Sequence, residues 1–114
     1  MITRTQNWEL IGSDIIVLES SKNPDAIRTQ KIMRLHDSAS IKTRYNMNIK
    51  LRAKQFREYG IKLFDSLHLA SAEYACADVL LTTDKKFLNA SSRCDIKIRV
   101  ENPLIFYMEV LSYE

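Results

Sequence analysis

The chain has 114 residues and a formal net charge of +3, with 46% hydrophobic and 27% charged residues. That length and balance predict one ordinary domain over residues 1–114 and exclude wholesale disorder. No apolar run is long enough to span a bilayer, and Met1 to Leu10 lacks the apolar stretch of a signal peptide, so a cytoplasmic protein is expected. Cys76 and Cys94 have no C-x-x-C spacing, which argues against zinc and for a reduced protein. Cys76 lies among small apolar residues and is expected to be a buried thiol.

In chain order, Trp8 to Ile11 is a short apolar run ended by Gly12 and predicts a strand. Ser13 suits an N-cap, and Ile15, Ile16, Leu18 and Glu19 follow in helical reach. A single longer strand is the competing reading, because Ile15, Ile16 and Val17 are β-branched. Pro24 breaks this segment and suits the first turn of a helix from Ala26 to Leu35. Ser38 to Tyr45 reads as a weak strand. Asn48 to Tyr59 is a clear helix, with Ile49, Ala53 and Phe56 on one face and Gly60 as the residue that ends it.

Asp65 to Ala75 predicts a helix rich in small residues, which lets it lie close against a neighbour. Val79 to Thr82 is the short apolar run of a buried parallel strand. A helical turn from Lys85 to Asn89, an alternating strand from Ile96 to Val100, and a last helix after Asn102-Pro103 complete the pattern. Strands alternating with helices predict an α/β fold: a mainly parallel sheet with helices on both faces, a three-layer α/β/α arrangement.

In such sheets the site lies beyond the carboxyl ends of the strands. Asp84 follows Val79 to Thr82, Asp65 opens the helix leading into that strand, and Glu19 lies in the helix after the first strand. Each has a plain structural role available: Asp65 and Asp84 as N-caps, Glu19 as a solvated helix acid. Carboxylates gathered at one sheet edge repel each other, and holding Mg²⁺ or Mn²⁺ is a common reason for such a cluster. His68, three residues after Asp65, is either a histidine bonded near the sheet or a group that orients a carboxylate. Thr82 and Thr83 are candidates to bond Asp84, or are simply β-formers. Lys50, Arg52, Lys54 and Arg57, within a basic middle segment that includes Lys42 and Arg44, read as a solvated helix face or as a weak RNA-contacting surface.

Two stretches carry a resemblance. Gly60-Ile61-Lys62-Leu63-Phe64-Asp65-Ser66-Leu67-His68-Leu69-Ala70-Ser71-Ala72, followed by Val79-Leu80-Leu81-Thr82-Thr83-Asp84-Lys85-Lys86-Phe87-Leu88, is similar to the C-terminal half of the PIN-domain family. The segment Ile11 to Glu19 resembles, more loosely, the part that carries the family's acidic helix residue, and Ile98 to Leu104 its last strand. The resemblance implies a Mg²⁺- or Mn²⁺-dependent endoribonuclease of toxin–antitoxin type, with RNA as substrate and an antitoxin protein as partner. It implies Glu19, Asp65 and Asp84 as catalytic, metal-site acids. The family begins with a strand ending in an aspartate, and nothing before Trp8 matches it. An N-terminally truncated PIN-like fold is therefore expected, one acid short, inactive or nearly so, and completed either by homodimerisation or by direct pairing of the first visible strand with Val79 to Thr82. The competing functions are a non-catalytic PIN remnant that binds nucleic acid or antitoxin, and an unrelated α/β interaction domain with three capping acids.

Overall fold

The computed structural model describes residues 9–112; Trp8, part of the first expected strand, lies outside them. The chain runs β1 (Ile11–Ser13), α1 (Asp14–Ser21), α2 (Ala26–Asp37), β2 (Ile41–Thr43), α3 (Met47–Glu58), α4 (Leu63–Tyr74), β3 (Val79–Leu81), α5 (Lys85–Ser91), β4 (Arg99–Glu101) and α6 (Pro103–Ser112).

Caps set most of the helix starts. Ser13 Oγ accepts from Ile16 N, so the strand, turn and short helix reading holds against one long strand. Asp25 caps α2 through Arg28 N, which leaves Pro24 just before the cap instead of within the first turn. Asn46 caps α3, so that helix begins before Asn48. Gly60 follows α3 with φ +90°, a left-handed conformation that favours glycine. Asn102 Oδ1 accepts from Leu104 N and Ile105 N and starts α6.

All strand pairing is parallel, as expected, but the single sheet is not what forms. Among the described residues, β1 pairs with β2 and β3 pairs with β4, giving two two-stranded sheets. Each pair joins a strand to the next strand in the chain, and α3 and α4 run between the two units. Direct pairing of β1 with β3, one of the two arrangements considered, is absent from these residues. Helix α4 packs against both β1 and β3, and so bridges the units. The edge strand β4 begins at Arg99, later than the alternation from Ile96 predicts, because Lys97 N donates to the Glu73 carboxylate instead of a strand.

The main apolar cluster gathers Ile49, Ala53, Phe56, Ile61, Leu69, Ala70, Phe87, Ala90 and Ile98. The predicted face of α3 supplies three of these. On α4 the buried face is Ser66, Leu69, Ala70 and Ser71, whereas Tyr74 is exposed. Arg52 ties this half together. Its guanidinium pairs with Glu73 at 2.7 Å, donates to the Asp95 carbonyl, and lies over the Phe56 ring at 4.3 Å. The hydrogen bond that Arg52 donates to Glu73 leads in holding its guanidinium above its ordinary value, against its own burial. For Glu73, burial pushes the carboxyl up, but the hydrogen bonds from Arg52 and the Lys97 amide outweigh it and hold the group below its ordinary value.

Cys76 corrects the sequence reading: it is exposed, and Cys94 is the partly buried thiol. Cys76 has φ 57° and follows the end of α4. Its N–H bonds the Glu73 carbonyl, and the Ala77 N–H bonds the Ala72 carbonyl. This is the pairing that closes a helix through a left-handed residue, a place where glycine is usual. The left-handed backbone turns the small side chain outward, so its neighbours' apolar character says nothing about its burial.

Candidate metal and phosphate site

The three acids are positioned by three different devices. Asp84 caps α5: its Oδ1 accepts from Lys86 N at 2.9 Å and from Phe87 N at 3.2 Å. The Thr82 hydroxyl accepts from Asp84 N at 3.1 Å and fixes the turn between β3 and α5. Thr83 is exposed and makes no side-chain hydrogen bond among the described residues. Asp65 is not a cap. Helix α4 starts two residues earlier than predicted, after Lys62, and has no side-chain cap. Asp65 therefore sits in the first turn with its carboxylate unclaimed by a backbone donor, where the positive end of the helix favours an anion.

Asp65 and Asp84 line one cavity of about 60 Å³, floored by Ile61 and Phe87 and rimmed by Lys62 and Lys86. Burial raises the Asp65 carboxyl above its ordinary range, and the Asp84 carboxylate adds to this. Glu19 pushes the same way, while His68 and Lys62 oppose. Asp65 thus senses the charges of Asp84, His68 and Glu19.

Glu19 lies near the end of α1, and its Oε1 is 3.0 Å from His68 Nε2. His68 sits on α4, so this contact joins α1 to α4. The His68 ring thus meets an acid on a neighbouring helix. Among the described residues, no group of three His, Cys, Asp or Glu side chains is placed to hold a metal ion. Two carboxylates in one cavity still fit a hydrated divalent cation, since Mg²⁺ keeps several waters and is commonly bound through one or two carboxylates.

The basic residues divide. Arg52 is committed to Glu73 and the Asp95 carbonyl. Sequence shows its charge but not its partner 21 residues away. Lys50, Lys54 and Arg57 are exposed on the side of α3 away from the core. Sequence reasoning missed Lys62 and Lys86. The signal was present, since each lies within three residues of a motif aspartate.

Residues 8–92 match the sequence profile of the PIN domain. The chain belongs to the PIN domain family. Membership places it among nuclease-type domains that generally use divalent metal ions and act on RNA or DNA. The match spans β1 to α5 of this PIN domain, including Glu19, Asp65 and Asp84. No curated protein matches the chain significantly. Among its described residues, no helix is long and apolar enough to cross a membrane.

Proposed function

We propose that this chain is a Mg²⁺- or Mn²⁺-dependent endoribonuclease of toxin–antitoxin type, one domain over residues 1–114, working in the cytoplasm and weak as a lone chain. The observation that carries the reading is the pairing of Asp65 with Asp84 in one cavity, with Asp65 half-buried and free of backbone donors. These two carboxylates would hold the metal ion, with Glu19 in reserve behind His68. The bound ion supplies an activated water and charge stabilisation for phosphodiester hydrolysis. Asp84 keeps its position through the α5 cap, and Thr82 fixes the turn that presents it. His68 restrains Glu19, so the third acid is oriented but not free. The expected weakness draws on the third acid, since Glu19 is paired with His68 and does not line the cavity of Asp65 and Asp84.

Cleavage of a labelled single-stranded RNA is expected to rise with Mn²⁺ or Mg²⁺ and to fall by about 100-fold or more in Asp65→Asn. Cleavage that survives Asp65→Asn unchanged defeats this assignment. RNA binding with no cleavage at any metal concentration favours the second reading, a non-catalytic binder of nucleic acid or antitoxin. That alternative draws on Glu19 being held by His68 and Asp84 being partly spent on its cap.

Partner proteins are supported by the surface. Helix α6 buries no residue among those described, and Leu104, Ile105 and Met108 are more than half exposed. We place an antitoxin on such an apolar face. The edges of β1 and β3 away from their partners lack a strand among the described residues. A second copy that completes them into one sheet covered by helices on both faces is the homodimer we propose.

A further inference from the structure

We propose that Lys62 and Lys86 are the groups that grip the RNA phosphodiester at the acid cavity, in place of the basic face of α3. This rests on the nuclease reading of the same cavity and adds the residues that hold its substrate.

Three observations converge. First, both lysines line the cavity that Asp65 and Asp84 share, so a phosphate held there would lie beside them. Second, both are unspent. The ion pairs among the described residues join Arg52 to Glu73, His68 to Glu19, and Arg99 to Glu101 and Glu109. Lys62 and Lys86 stand beside carboxylates without pairing to them. Lysines whose task was to neutralise those acids would close that gap. Third, both are anchored by backbone that the site already fixes. Lys62 is the residue before the first turn of α4, and its carbonyl accepts from Ser66 N at 2.8 Å. Lys86 N donates to Asp84 Oδ1. A point charge on a flexible stem, rooted in a fixed backbone, suits a phosphate whose exact position shifts along a polymer.

Phosphate contacts by lysine are additive, salt-dependent and blind to sequence. The α3 stripe of Lys50, Lys54 and Arg57 carries three charges against two but does not line the acid cavity. It serves as the internal comparison.

The test measures binding of a dye-labelled single-stranded RNA oligonucleotide by fluorescence anisotropy. The full chain carries Asp65→Asn and is kept in EDTA, so that cleavage does not intervene and one repelling carboxylate is gone. Lys62→Ala/Lys86→Ala is expected to bind about tenfold more weakly at low salt, with the slope of log K against log salt reduced by about 0.7 for each lysine. Lys50→Ala/Lys54→Ala removes the same charge and should weaken binding by less than about threefold. Lys62→Arg/Lys86→Arg should keep the slope. Equal losses in the two double alanine variants, unchanged binding in Lys62→Ala/Lys86→Ala, or a parent that does not bind RNA each overturn the proposal. All four lysines are exposed, so thermal melting should match the parent and separates lost contact from lost fold. If RNA binds through these lysines but the native chain cleaves nothing with either metal, the nuclease reading falls and this inference stands.

Discussion

The two halves of the molecule bury different chemistry. From α3 onward the chain contributes every member of the main apolar cluster, with Ile49, Phe56 and Leu69 almost wholly enclosed. Between β1 and β2, Ile15 is the one buried hydrophobic side chain among the described residues, and its buried companions are Ser13, Ser20, His36 and Thr43. Neither ring nitrogen of His36 has a hydrogen-bond partner among the described residues. The first half is held by polar ties: Asp14 Oδ2 accepts from Tyr45 N, Thr29 donates to the Ser20 carbonyl, and Glu19 meets His68 across to α4. The comparison teaches that Asp65 and Asp84 sit on the well-packed half, whereas Glu19 is delivered by the weakly packed one.

The strongest way to break this comparison is to remove Phe56. Phe56→Ala is expected to cost about 3–5 kcal/mol in urea unfolding, and to speed hydrogen exchange in both halves. Ile15→Val should cost about 0.5–1.5 kcal/mol and speed exchange only between β1 and β2. Equal spread of the two effects would show one shared core.

A smaller effect sharpens the role of the Arg52 clamp. Glu73→Gln should cost about 1–3 kcal/mol at neutral pH, because a partly buried guanidinium loses its charged partner. The folded Glu73 carboxyl lies below its ordinary value, so its contribution is complete above the unfolded value of about 4.3 and is lost as the pH falls through the lower folded value. Unfolding midpoints measured from pH 7 to pH 2 should therefore show parent and Glu73→Gln converging in acid. A constant gap would place the stabilisation elsewhere.

A last effect, close in size to that of Ile15→Val, lies in the first half. A Cβ added at Gly12 would come within 2.5 Å of the His36 ring, so Gly12→Ala forces the imidazole aside at a cost of about 1 kcal/mol. Exchange should quicken in β1 and α2 while the Arg52 region stays protected. Loss of protection around Phe56 would contradict the division.

Much of this arrangement was legible in sequence because it is written locally. The face of α3, the Ser13 cap, Gly60 and the Asn102-Pro103 start all follow from residues within a turn of the feature they set. What depends on distant partners was not legible. The Arg52 charge reads the same on paper whether it meets RNA or Glu73. The Cys76 side chain points outward because of a backbone angle that no neighbouring residue announces. The two separate strand pairs depend on which edges meet in space, and alternation along the chain carries no record of that. At the site, the sequence placed acids in the right elements, and the shared cavity of Asp65 and Asp84 together with the tether on Glu19 came from the fold.

The α4 bridge has a consequence for the chain while it is being made. Synthesis delivers β1, α1, α2 and β2 first, since chains fold from the N-terminus as they emerge. That opening unit has one buried aliphatic side chain and no apolar floor of its own, and the helix it leans on is translated later. On the ribosome, then, the least self-sufficient part waits, with a strand edge that is unpaired among the described residues, until α4 clears the exit tunnel. Whatever binds that edge has its best opportunity before the protein is finished.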